Sequence, residues 1–192
     1  MRPRMAGGCF LVRFADDLVM GFTFQGDAEK VFRVLPKRCE RFGLRIHPEK
    51  GRLVQFSRPF GRRGQGPGTF AFHGFDHYWA KTRKGGWTIK RQRQGKRLRR
   101  FLSGIHEWCR KNRHQNIVEQ YQTLKSKRRG HDQYYGVRGN YKMLEVAFEH
   151  TERVWKRWLS RRSAKHRLNW EQWMVRWQAI CPLPKPRIVH EF

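Results

Sequence analysis

Asp16 and Asp17 are the residues of this sequence whose type and spacing point most directly to chemistry. They form an adjacent acidic pair between two apolar runs, Cys9–Phe14 and Leu18-Val19-Met20. Two carboxylates between buried strands are costly unless a cation meets them. A hard divalent ion such as Mg²⁺ takes oxygen ligands of this kind and keeps positions for phosphates. Asp is also a natural turn residue, so the same pair reads as a hairpin tip. β-Branched and aromatic residues on both sides predict two short strands joined by a tight turn.

Other arrangements with chemical potential are weaker. His106, Cys109 and His114 are the nearest approach to a zinc cluster, but Cys109 falls on the apolar face of a helical pattern. Gly61–Gly68 lacks the Lys-Ser/Thr ending of a phosphate loop, and no nucleophile constellation stands out. Composition narrows the partner instead. Lys and Arg number 43 against 15 Asp and Glu, a net charge of +28, which calls for a polyanion. Aromatic residues make up 14% of the chain and could stack on bases, although core packing is the default for each Trp. No apolar run approaches the roughly 20 residues of a membrane span and no signal peptide is evident, so the expectation is a cytoplasmic protein without a membrane partner. Cys9, Cys39, Cys109 and Cys181 are widely spaced in apolar patterns and read as reduced core cysteines.

The elements that must position these residues follow from periodicity. Asp27 is a candidate N-cap for a helix whose apolar face is Ala28, Val31, Phe32, Leu35, Cys39 and Phe42. Pro36 predicts a kink in it, and Gly43 its end. Leu44–Ile46 and Arg52–Phe56 read as extended pieces, Ser57–Gly68 as a basic loop, and Phe70–Phe75 as a strand. Tyr78–Lys81 and Trp87–Arg91 suggest a hairpin. From Arg93 the period becomes helical. Leu98, Phe101, Leu102, Ile105, Trp108 and Cys109 mark a first helix, and Ile117, Val118, Tyr121 and Leu124 open a second. Asn140 is placed to cap a third, and Trp170, Trp173, Met174 and Trp177 mark a short fourth. Strands followed by helices predict an α+β chain.

Taken in order, these boxes resemble the C-terminal part of bacterial group II intron reverse transcriptase/maturases. The aromatic-Ala-Asp-Asp box is Phe14-Ala15-Asp16-Asp17, and a Gly-Leu segment with a following lysine is Gly43-Leu44 with Lys50. An aromatic strand, Phe70–Phe75, comes next. Gly130–Asn140 carries a Gly-His-x-x-Tyr-Tyr-Gly-x-x-Gly-Asn segment, and Pro182–Arg187 a Pro-Leu-Pro-x-Pro-Arg tail. The resemblance covers nearly the whole chain. It implies a partial polymerase palm over 1–75, an α-helical thumb or maturase X domain over 76–160, and a basic, Trp/Pro-rich tail over 161–192. It implies RNA-directed DNA polymerase chemistry for the complete family site. Asp16 and Asp17 would serve as catalytic, Mg²⁺-binding carboxylates, and Lys50 would sit beside the leaving pyrophosphate. Phe70, Phe72, Gly74 and Phe75 would grip the primer end. Arg97, Arg100, Lys111, Lys125, Lys127, Arg128, His131, Tyr134, Tyr135 and Arg138 would meet RNA. The implied partners are group II intron RNA or an RNA template–DNA primer, with an upstream fingers/palm polypeptide as a further one. Of Tyr134, Tyr135 and Tyr141, at least two are expected in the core.

The sequence also departs from the family. Phe14 stands for the usual Tyr of the metal box, Gly51 for Thr after the lysine, His73 for Leu in the aromatic strand, and Asp132 for an aromatic after Gly-His. The fingers and first palm half of the family, with a further metal-binding Asp, do not precede Met1 in this sequence. The expectation is therefore that this chain alone does not polymerise, and that it assists splicing through RNA binding. The alternative is a stand-alone basic RNA-binding module without catalysis.

Overall fold

A computed structural model describes residues 5–47, 51–59, 68–163, 169–175 and 179–191. Among them the chain is α+β, with two small antiparallel sheets and five helices. It divides into two units, 1–73 with 77–89, and 74–76 with 90–192. No described helix is long and apolar enough to cross a membrane.

The first unit begins with the expected hairpin. Strands β1 (Cys9–Phe14) and β2 (Asp17–Phe22) pair from Cys9↔Phe22 to Phe14↔Asp17, with Ala15 and Asp16 as the turn. Ala15 takes φ 51°, an uncommon conformation for a residue with a side chain. Helix α1 (Gln25–Glu40) runs through Pro36 as one element, so the expected break is absent. Its N-cap is Phe24, two residues into the loop before the first turn, and Asp27 lies inside that turn. Asp27 is nevertheless buried, because its Oδ2 accepts from the Ala6 and Gly7 amides at 2.9 and 3.1 Å. The carboxylate thus ties down the entry to β1 and caps no helix. The apolar face of α1 is only partly covered: Val31 and Leu35 are half-buried, but Phe32 and Phe42 are exposed.

Residues 44–46 and 52–56 form no strand. The second stretch is held by the Gly68 amide donating to the Gln55 carbonyl at 3.2 Å. Phe70–Phe75 also differs from expectation. Strand β3 (Phe70–Phe72) ends at a two-residue turn, His73 at φ 52° and Gly74 at φ 83°, and β4 (Phe75–Lys81) follows. Positive φ at both central residues is what a tight hairpin with right-handed twist requires. His tolerates this region better than a branched aliphatic residue does, so a polar side chain here costs no strand packing. Strand β5 (Trp87–Arg93) completes the sheet in the order β3-β4-β5, as the predicted second hairpin.

The second unit holds the better-packed core. Helices α2 (Gly95–Lys111), α3 (Ile117–Tyr135) and α4 (Tyr141–Leu159) pack together, α4 against both of the others. Ile105, Cys109, Leu124, Val154, Trp155 and Leu159 fill the centre. Burial pushes the Cys109 thiol up to about 12, so it is an inert core group. Gln120 is also buried. Its Nε2 donates to the Asn112, Arg113 and Gln115 carbonyls, and its Oε1 accepts from Trp155 Nε1 at 3.0 Å, which fixes the α2–α3 loop. The short helix α5 (Trp170–Trp173) starts at an Asn169 capping box and buries Trp173; Trp177 lies outside the described residues.

The tail is part of this unit. Cys181 and Leu183 enter the core, and farther along His190 bridges Val137 in parallel. The Val189 and His190 amides both donate to the Gly136 carbonyl, at 2.7 and 2.9 Å. A Cβ at Gly136 would collide with the Asp132 carbonyl oxygen and stand 3.0 Å from that of Arg187. Both neighbours are backbone. Gly136→Ala is therefore expected to cost about 1–3 kcal/mol and to loosen the tail. Urea unfolding and limited proteolysis after residue 180 check this.

Candidate nucleic-acid interface

The residues singled out by sequence fall into three groups. The first lies in the first unit. Asp16 is the second residue of the hairpin turn and Asp17 the first of β2, both exposed. The Phe14 ring meets the His73 ring edge-on at 3.9 Å between centroids. Two boxes nearly sixty residues apart in sequence are thereby brought together, the acidic tip and the β3–β4 turn. Phe70 is stacked on His77 at 4.7 Å and is half-buried, as is Phe72. Lys50 lies outside the described residues. Among the described residues no group of three His, Cys, Asp or Glu could hold a metal ion, at His106, Cys109 and His114 or elsewhere.

The second group is internal to the second unit. Gly74 and Phe75 are buried, Phe75 in a small core with Tyr135, Val137 and Leu144. Three residues placed above among RNA contacts, Arg128, His131 and Tyr135, are buried as well. They build the inside of the Gly130–Asn140 segment. Arg128, with no exposed surface, donates from Nη2 to Asp132 Oδ2 at 2.9 Å. Asp132 Oδ1 accepts from His131 Nδ1 at 2.9 Å, and His131 Nε2 meets Arg93 Nη1. This arrangement assigns the ring proton to Nδ1 and leaves Nε2 as the acceptor. Arg93 also donates to the Arg97 carbonyl at 2.7 Å and lies 4.0 Å from the Tyr135 ring centroid. Its own amide donates to Asn140 Oδ1 at 2.9 Å, while Asn140 Nδ2 donates to the Tyr135 carbonyl at 2.8 Å. Asn140 occupies the N-cap position of α4, but its side chain is spent on this link and makes no cap bond. These residues cannot reach a phosphate from the core. They join β5, α2, α3 and the turn before α4.

Burial, chiefly, and the nearby Arg93 and Arg128 charges push the His131 imidazole below its ordinary range, with the Asp132 hydrogen bond opposing. The folded unit therefore holds His131 neutral, and its stabilising contribution is complete above the unfolded value of about 6.5. As pH falls below that value the unfolded chain binds a proton that the fold refuses, so stability declines. His131→Gln is expected to flatten this acid limb, since an amide can donate to Asp132 and accept from Arg93. Urea midpoints between about pH 7 and 5 read the difference.

The third group is exposed and basic. On α2 these are Lys96, Arg97, Arg99, Arg100, Arg110 and Lys111; on α3, Lys127 and Arg129; after it, Arg138. Lys111 is engaged by Glu107 at 2.9 Å, and Lys125 is half-buried above the Tyr121 ring at 5.2 Å. Tyr134 and Tyr141 are exposed at 42% and 47%, so only Tyr135 of the three tyrosines is in the core. Arg93 and Gln120 were not evident from sequence as key residues. The signal for Gln120 was its place four residues before Leu124 on the buried stripe of α3.

No family model, no curated protein and no solved structure matches this chain.

Proposed function

We propose that the chain acts as the C-terminal part of a group II intron reverse transcriptase/maturase, binding structured intron RNA through its helical unit and assisting splicing. The observation that carries this reading is the separation of charge in that unit. Arg93 and Arg128 are buried and tied to His131 and Asp132, while a dense set of cations on α2 and α3 stays exposed around a packed core. Such a surface neutralises backbone phosphates, and the exposed rings of Tyr134 and Tyr141 can stack on unpaired bases. The contact between Phe14 and His73 supports the polymerase ancestry of the first unit, because it sets the acidic tip against the second aromatic box.

Mg²⁺ at Asp16 and Asp17 would neutralise charge on bound phosphates. A two-ion polymerase centre needs a further carboxylate beside Asp16 and Asp17, which DNA synthesis on a template–primer would draw from the family's fingers and first palm half. A stand-alone RNA-binding module is the second reading. The observation favouring it is the position of Asp16 in a two-residue turn, where Asp serves turn geometry alone.

Filter binding of the full chain to a group II intron RNA and to a ribosomal RNA fragment of equal length tests the proposal. Preference for the intron of about tenfold or more is expected at ~0.15 M salt. Equal affinity for both RNAs overturns the maturase reading. Asp16→Asn is expected to leave intron binding unchanged and to abolish DNA synthesis in a complemented complex.

A further inference from the structure

Among the described residues the outer edge of β1 is unpaired and exposed. All six residues of the strand are exposed, with Phe10 at 62% and Leu11 at 57%. Pairing with β2 uses one side of the strand only. Just beyond the ladder the Thr23 amide donates to the Gly8 carbonyl at 3.0 Å, in register with the Cys9↔Phe22 pair. Hydrogen-bonded pairs alternate along an antiparallel ladder, so Gly8, Phe10, Val12 and Phe14 face β2. The amides and carbonyls of Cys9, Leu11 and Arg13 then point away from it. Among the described residues no main-chain group of another segment pairs with them.

Edge strands are ordinarily blunted by proline, lysine, a bulge or extreme shortness. β1 has no proline, and its register with β2 is free of bulges. Its one cation, Arg13, is turned back to donate to the Ala15 carbonyl at 2.9 Å. Phe10 and Val12 lie on one face and Leu11 on the other. A strand apolar on both faces has the pattern of a sheet interior.

We infer that β1 is a docking edge for an extended segment of a second, different polypeptide. The segment adds a strand along Cys9–Arg13 and packs apolar side chains against Phe10, Leu11 and Val12. Charge decides between occupants. A second copy would bring another chain of +28, and the two would repel. Within the same unit α1 exposes Lys30, Arg33, Lys37 and Arg38, which favour a neutral or acidic segment. The inference needs nothing from the RNA reading of the helical unit, and its test stands or falls without RNA.

Two synthetic peptides serve as probes: Glu-Glu-Val-Thr-Val-Ile-Val-Glu-Glu, and the same sequence with alternate amides N-methylated. Amide hydrogen exchange of the full chain is the readout. The plain peptide is expected to slow exchange at Leu11 and Arg13 by about tenfold or more, and the methylated one to leave it unchanged. Leu11→Lys, which places a charge on the edge, is expected to abolish the slowing while exchange within α2–α4 stays as in the parent chain. Cys9→Ser, milder at the strand's end, should keep the slowing. No slowing at millimolar peptide, or equal slowing by both peptides, overturns edge pairing. Concentration-dependent protection without peptide, with a dimer in sedimentation, assigns the edge to a second copy and overturns the inference.

Discussion

Asp132→Ala is expected to destabilise the helical unit by about 3–5 kcal/mol, read as a lower urea midpoint by far-ultraviolet circular dichroism. Arg128 has no exposed surface, and its Nη2 relies on Asp132 Oδ2 at 2.9 Å. Removing that carboxylate strands a cation in the core, with Glu152 as the remaining acid close enough to favour its charge. His131 loses the acceptor that fixes its tautomer, and with it the acceptor it presents to Arg93. A cation in the core without its partner is far costlier than no pair at all. The double substitution Arg128→Met with Asp132→Leu is therefore expected to cost much less than Asp132→Ala alone. A result in which the two variants are equally unstable would mean that the pair contributes only its shape. RNA binding by the double variant should be retained, because neither side chain reaches the surface.

This outcome bears on the departure at position 132. Measured against the resembled family, Asp132 looks like the loss of an aromatic ring. In the fold it is matched by Arg128, four residues earlier on the same helix face, so the exchange is compensated locally. His73 is compensated in the same sense, since it occupies a turn and no strand interior. Both departures fit a chain whose packing is maintained.

The parts of the fold that were legible are those where residue type or one period dominates. The β-branched and aromatic runs on either side of Asp16-Asp17 gave the β1–β2 hairpin, and helical spacing with an outer cationic face gave α2, α3 and α4. What was obscured shares one physical cause: polar residues were assigned their commonest local role, and distant backbone groups claimed them instead. Asp27 serves the amides of Ala6 and Gly7, and Asn140 serves Arg93 and Tyr135. The buried state of Arg128 and His131 was in principle readable. Leu124, Arg128, His131 and Tyr135 follow one another at four, three and four residues, the spacing of a buried stripe. A cation on such a stripe signals an interior partner, which Asp132 supplies. The break at His73-Gly74 was harder to see, because aromatic residues continue on both sides and only the two positive φ angles expose it.

The largest functional effect is expected at the start of α2. Lys96, Arg99 and Arg100 are exposed within its first turns, spaced so that they share one side, and the first turn holds no acidic residue. A helix N-terminus carries partial positive charge and favours acids, each worth about 0.3–1 kcal/mol. Cations there oppose folding slightly, so their placement serves something other than stability. Phosphate binding meets that condition, because backbone anions satisfy the side chains and the helix end together. Changing all three to Gln is expected to weaken intron RNA binding roughly 100- to 1,000-fold at ~0.1 M salt, and to reduce the slope of log affinity against log salt by about 2–3. The same variant should be as stable as the parent or slightly more so, by thermal unfolding. Opposite signs for affinity and stability would separate this surface from the internal arginines, whose loss moves stability and leaves the salt slope alone. An unchanged slope would move the RNA contact away from the start of α2 to the cations of α3 and Arg138.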